Sequence, residues 1–299
     1  MRTLLALSAI ALIGAAQVPA PPVPKPKTPS EIVAAAPAGA WLAIDPAELL
    51  VMDLKDGGRV VIQLAPAFAP VHVANIQALA RADYWQGAAI YRVQDNYVAQ
   101  WGNNESEKPW PAGVVAQPPA EYHRALKGLA IHPLGFVDAY APRAGYSGGW
   151  PIAYDPQGGT ANLTHCYASV GVGRGLSPDT GTGGELYAVI GHAPRHLDRN
   201  IAVVGRVIEG IDRLSSLPRG TEALGFYKER SSDVPIARIR LAADLAPVER
   251  PSFEMLDTSG AAFAAYVKAR ANRDDDFFIR PAGGVDVCNA PVPVRRKPA

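Results

Sequence analysis

Cysteine, net charge and long apolar runs are all scarce in this chain, and each scarcity removes a class of protein. The 299 residues hold two cysteines, Cys166 and Cys288, which allow one pairing and no disulfide-dense scaffold. Lys and Arg number 29 against 28 Asp and Glu, for a net charge of +1, and they are scattered, so no nucleic-acid partner is expected. Arg295-Arg296-Lys297 is the exception and reads as a solvated terminus. No stretch reaches the roughly 20 apolar residues of a comfortable membrane span. Several motifs are incomplete. Gly171-Val172-Gly173-Arg174-Gly175 lacks the Lys-Ser or Lys-Thr of a phosphate loop. Asp179-Thr180-Gly181 and Asp257-Thr258-Ser259-Gly260 lack the apolar strand that leads into each catalytic carboxyl of an aspartic protease. His192 and His196 have the spacing of a metal pair, but Pro194 between them rules out a shared helical face, so no metal is expected.

What is present begins with Met1-Arg2-Thr3 and an apolar run from Leu4 to Ala16, a charged start and short hydrophobic core of the secretory type. Cleavage after Ala16 is expected, leaving no stable membrane span, and no cysteine follows the run to carry a lipid anchor. The expected destination is a bacterial periplasm, an oxidising compartment in which a Cys166–Cys288 bond would tie the C-terminal tail to the core. Such a bond would contribute about 4 to 5 kcal/mol in the chain-entropy view; two buried free thiols are the alternative. The stretch 17–30 is Pro-rich and reads as a semi-extended tether, within a linker and arm spanning 17–47.

The folded pattern starts at 48. Leu49 to Leu54 and Arg59 to Leu64 are β-rich runs around Asp56-Gly57-Gly58, a hairpin signal. Pro70 suits a first helical turn, and Val73, Ile76 and Ala80 form a helical stripe up to Arg81. Ile90 to Asn104 reads as strand, polar turn at Gln94 to Asn96, and strand. Alternation puts Val98 and Gln100 on one face, so the Arg92 guanidinium and the Gln100 amide converge over an apolar patch of Tyr97 and Val98. From 104 to 165 the pattern loosens into an insertion rich in Pro, Gly and Trp, either elaborated loop or short strands, and a candidate wall of the site. Regular structure resumes at Cys166, with a strand at Ile201 to Val207, a helix predicted over Ile208 to Leu217 and a closing strand at Pro235 to Leu241. Beyond 245 lies an extension, 246–299, with a helix predicted from Gly260 to Arg273, capped by Asp257-Thr258-Ser259.

The stretch around Arg92 resembles the catalytic segment of cyclophilin-type peptidyl-prolyl isomerases: Phe-His-Arg, two or three residues, then Pro-Gly-Phe-Met-x-Gln-Gly-Gly-Asp. Arg92, Tyr97, Gln100 and Gly102 fall in register; Tyr91 stands for the His, Asp95 and Asn96 for Pro-Gly, Val98 for Met, Trp101 for the first Gly and Asn103 for Asp. Ala69-Pro70 with Asn75-Ile76 is similar to the family's Ala-Pro-x-x-x-x-Asn-Phe. Gly183, Leu197, Asp198, Gly205, Val207 and Gly210 match its Gly-Ser-Gln-Phe-Phe-Ile, Leu-Asp-Gly and Val-Phe-Gly-x-Val-x-x-Gly segments.

The resemblance covers about 48–245 and implies a mainly β fold, a closed eight-stranded antiparallel barrel capped by two helices. It implies an isomerase acting on X-Pro bonds of exported proteins as they fold, with proline-containing segments as partners and no cofactor. A barrel that binds such segments as a chaperone or scaffold, without useful catalysis, is the alternative. Arg92 and Gln100 carry the catalytic roles: Arg92 donates to the prolyl nitrogen as it pyramidalises, and Gln100 fixes substrate and guanidinium. Tyr97, Val98, Tyr187 and Leu197 line the proline pocket, with Glu185, His196 and Ile201 also against substrate. Three positions depart from the family: Glu185 replaces Gln, Ile201 replaces His and Val204 replaces Phe. Glu185 is expected either to pair with Arg92 or to compete with substrate for it.

Overall fold

The computed structural model describes residues 26–103, 108–275 and 277–298. The secretory-type segment 1–16, most of the Pro-rich tether and Asn104 lie outside them.

Chain order begins with α1 (Pro29–Ala34) and β1 (Trp41–Ala43). The hairpin follows as β2 (Leu49–Leu54) and β3 (Arg59–Leu64), then α2 (Pro70–Arg81), β4 (Ala89–Val93) and β5 (Val98–Gly102). The insertion supplies β6 (Arg124–Ala125), β7 (His132–Pro133), β8 (Arg143–Ser147), β9 (Trp150–Asp155) and β10 (Thr160–Leu163). Next come β11 (Ser169–Val172), β12 (Leu186–Val189), β13 (Val203–Glu209), α3 (Ile211–Ser215) and β14 (Val234–Leu241). The extension adds β15 (Phe253–Leu256), α4 (Ala261–Ala271) and β16 (Val294–Arg296).

Eight of these strands close a barrel in the order β11-β12-β5-β4-β14-β2-β3-β13, with antiparallel neighbours throughout. Period-two alternation fills its interior with Leu50, Met52, Ile62, Ile90, Trp101 and Leu186, each fully buried. One mouth is covered by α2 through Val73, Ile76 and Leu79, and Leu214 of α3 joins the same core. Helix α3 is shorter than its periodicity suggests. Ile208 belongs to β13, whose Val207 and Glu209 pair with β3, and the helix starts only after Gly210.

The hairpin reads as continuous rather than alternating hydrophobicity for a physical reason. Leu49, Val51 and Val61, on the outer face, are buried under Ala242 and Leu245, which follow β14, and under Phe253 of the extension. The insertion is a five-stranded sheet, β6-β10-β9-β8-β7. Ile152, Tyr154 and Leu163 pack it on Ala65, Phe68 and Val203 of the barrel, while Ala144 and Tyr146 meet Phe263 and Tyr266 of α4. The arm and extension share a third sheet, β1-β15-β16. The tether therefore ends earlier than its composition suggests: Thr28 and Glu31 form a capping box and α1 begins at Pro29. Helix α4 starts at Ala261, with Gly260 as an N-cap that offers no side chain, while Asp257 turns back on Ser259 and Thr258 accepts from Gly149 N. The basic terminus is likewise structured. Arg295 pairs with Glu254 and stacks on Trp41, and Arg296 pairs with Glu209. Cys166, ahead of β11, is bonded to Cys288 in the extension.

Candidate active site

Arg92, Gln100 and Tyr187 lie in one row across three strands, since Arg92 pairs with Gln100 on β5 and Gln100 with Tyr187 on β12. Their neighbours Val93, Ala99 and Ala188 face the barrel core, so this row stands on the outer face. A bulge between Ile90 and Arg92 places Tyr91 as an extra residue opposite β5, which lets two consecutive side chains reach Gln100. Arg92 Nη1 donates to Gln100 Oε1 at 2.9 Å, and Gln100 Nε2 donates to the Tyr91 hydroxyl at 2.7 Å.

The guanidinium is fixed on all sides. Nη2 donates to Gln94 Oε1 at 2.6 Å and Nε to the Leu224 carbonyl at 2.7 Å. Tyr97 and Phe226 flank it, with ring centroids 5.9 and 5.5 Å from Cζ. Burial draws Arg92 below its ordinary range, a mark of a poorly hydrated cation. The Phe226 wall exists because β4 pairs with β14 only through Ala89 and Ile90. The bare edge beyond is taken by the loop 219–227, through Gly220 N to Val93 O, Tyr227 N to Tyr91 O and an Arg92–Phe226 bridge. Among the described residues, that loop and not the insertion supplies the distant contacts of Arg92.

Beside the cation lies an apolar shelf of Val98, Tyr187 and Val189, on which Tyr97 and Ile201 pack. His196 is exposed and stacks on Tyr97 at 6.3 Å, edging the shelf. Leu197, half-buried in the turn Arg195–Leu197, does not pack on this cluster and so does not join the others. Tyr187 is held from behind. His165 Nε2 lies 2.9 Å from its hydroxyl and Nδ1 2.9 Å from Asp198, which is paired with Arg195, itself held by Asp138 of the insertion. A carboxylate only accepts, so in a neutral ring Nδ1 carries the proton and Nε2 accepts from Tyr187.

Glu185 differs from both expectations placed on it. It neither pairs with Arg92 nor stands free for substrate, because its carboxylate accepts from the Tyr91 hydroxyl. It reaches there across Gly102, where an added Cβ would lie 2.1 Å from the carboxyl carbon. Burial raises Glu185 to about 7, opposed by its bonds to Tyr91 and to the Asn103 backbone. The contributions of Gln94, Leu224, Phe226 and His165 have no signal in the sequence. Leu224, Phe226 and His165 depend on contacts between segments distant in the chain, whereas Gln94 lies in the same hairpin as Arg92, where the turn and not strand alternation aims its side chain.

A closed barrel with a guanidinium, an amide and an apolar shelf on the outer face of three adjacent strands defines a cyclophilin-like barrel. The family model for cyclophilin type peptidyl-prolyl cis-trans isomerase/CLD matches residues 49–242. Proteins described as probable peptidyl-prolyl cis-trans isomerases from Brucella suis and Brucella melitensis are each 26% identical over 184 residues, covering 60% of this chain and 76% of theirs. The crystal structure of cyclophilin AquaCyp293 from Hirschia baltica superposes with a TM-score of 0.67 at 24% identity, covering 87% of this chain and 95% of that one. The chain belongs to the cyclophilin-type peptidyl-prolyl cis-trans isomerase family. Among the described residues, no helix is long and apolar enough to cross a membrane.

Proposed function

We propose that this chain accelerates rotation about X-Pro bonds in exported polypeptides, with Arg92 as the group that acts on the bond. The barrier arises from amide resonance and stands at about 18 to 20 kcal/mol. A catalyst lowers it by localising the nitrogen lone pair and favouring the twisted peptide, with no nucleophile required. Of the five N–H donors of Arg92, three are committed to Gln94, Gln100 and Leu224. One on each Nη remains for the prolyl nitrogen, on a cation already oriented and partly desolvated. The proline ring is assigned to the shelf of Val98, Tyr187 and Val189, with Tyr97 and Ile201 as its rims.

Raising a rate of about one per hundred seconds to about a thousand per second requires close to 7 kcal/mol. One charge-assisted bond contributes about 1.5 to 3 kcal/mol. Preferential binding of the twisted form against the shelf must supply the remainder. The observation that carries the reading is the immobilised guanidinium beside that shelf. A protease-coupled peptide assay tests it: acceleration by the wild type that Arg92→Ala abolishes while peptide binding persists supports catalysis. A wild type that binds peptide but is no faster than solvent favours the scaffold. Action in the periplasm is part of the proposal, supported by the residue pattern of Met1 to Ala16 and by the Cys166–Cys288 bond, of a kind that persists in oxidising compartments.

A further inference from the structure

Glu185 reaches Arg92 only through two intermediates. Arg92 Nη1 donates to Gln100 Oε1, Gln100 Nε2 to the Tyr91 hydroxyl, and that hydroxyl to the Glu185 carboxylate. The two ends are chemically unlike. A guanidinium has no acceptor, and an ionised carboxylate has no donor. With a donor-only group at one end and an acceptor-only group at the other, the amide and the hydroxyl between them have a single arrangement. Without the acceptor-only end, the Arg92 contact alone opposes a turn of the Gln100 amide, which would set its NH2 against Arg92 and unseat the guanidinium.

We infer that Glu185 is a positioning residue: its carboxylate, acting through Tyr91, locks the orientation of the Gln100 amide and thereby the guanidinium that works on the prolyl bond. The arrangement also explains why the carboxylate is displaced from Arg92. A direct ion pair would occupy the Nη hydrogens needed by the substrate, whereas the chain lends its negative charge at one remove. Gly102 supports the same reading, since only a residue without Cβ lets Glu185 lie over β5. A protonated carboxyl or an amide at this position can donate to Tyr91, so the acceptor-only end is lost and a second arrangement opens.

The chain is therefore set by ionisation of Glu185, which burial places near 7. Among the described residues, the titratable groups facing it are Tyr91 on β4 and Tyr84 ahead of β4, both phenols pushed up, first by burial and then by the charge of Glu185. Lys108 lies behind, on the Tyr84 and Gln86 carbonyls and near Asn103 Oδ1.

This inference rests on the isomerase reading for its consequence, and the test separates the two. Exchange NMR on a blocked proline-containing peptide, without protease, gives the rate from pH 5.5 to 8.5. The Gln100 side-chain amide signals, assigned by their loss in Gln100→Ala, report the chain itself. In the wild type the rate is expected to rise three- to tenfold through a midpoint near 7, and the Gln100 signals to shift with it. Glu185→Gln and Tyr91→Phe, checked for folding by circular dichroism, are expected to hold the low-pH rate at every pH, with Gln100 signals that no longer move. Gly102→Ala, which displaces the carboxylate while keeping it, is expected to behave likewise. A Glu185→Gln rate lowered by the same factor at all pH values, or Gln100 signals that still titrate in that variant, would overturn the inference. Should the wild type catalyse nothing while its Gln100 signals titrate and those of Glu185→Gln do not, the isomerase reading fails and the chain stands.

Discussion

At the scale of single residues, the site depends on side chains that are costly to keep as they are. Glu185 is the clearest case. A carboxyl raised from 4.5 to about 7 in the folded protein binds its proton more tightly there than in the unfolded chain. Its contribution to stability is fully present below about pH 4.5, falls as pH rises to about 7 and is flat above. The total is about 3 kcal/mol relative to a residue that does not titrate. Chemical denaturation of wild type and Glu185→Gln across pH 4 to 8 should show the wild type losing that margin; parallel curves would contradict it. Arg92→Lys keeps the charge but not the fork that meets Leu224, Gln94 and Gln100 together. Its kcat/KM should fall roughly ten- to a hundredfold with peptide affinity little changed. Arg92, Gln100, Tyr97 and Val98 were legible in the sequence because they share one hairpin and strand alternation fixes their faces. The partner of Glu185 was not, since a one-residue bulge moved Tyr91 into reach, and bulges leave no periodic trace.

At the scale of elements, the loop 219–227 holds the cation against the free edge of β4. Gly225 has φ +80°, and an added Cβ would lie 2.5 Å from Gln94 Cα. Gly225→Ala should lift the loop, costing on the order of 1 to 3 kcal/mol and loosening Arg92. A thermal melt unchanged from wild type, with unchanged activity, would show that the loop is not needed. The hairpin β2-β3, helix α2 and strand β14 were legible from local turn chemistry and periodicity. Strands β6 and β7, two residues each, were not, because pairing with distant strands and not local preference creates them. Helix α3 was overestimated for the converse reason: Ile208 fits a helical stripe, but the ladder to β3 claims it.

At the scale of the whole molecule, the arm, insertion and extension are built around one barrel wall. Extension residues cover the outer face of β2 and β3, and the insertion sheet is held between barrel and α4. The Cys166–Cys288 bond closes a loop of 122 residues across this assembly. Cys288→Ser should therefore cost about 2 to 5 kcal/mol, read as a lowered melting temperature under non-reducing conditions, while leaving the β4-β5 site intact. The mainly β barrel was foreseeable through the family resemblance of motifs that recur in the same order along the chain. The joint packing of both chain ends was not, because no local pattern reports that β1 pairs with β15. The barrel and its 219–227 loop hold one guanidinium beside an apolar shelf, and the rate of X-Pro isomerisation by wild type and Arg92→Ala tests its part in the reaction most directly. The account predicts clear acceleration by the wild type and a loss of about a hundredfold or more in the variant, with peptide still bound. Equal rates in the two proteins would contradict it.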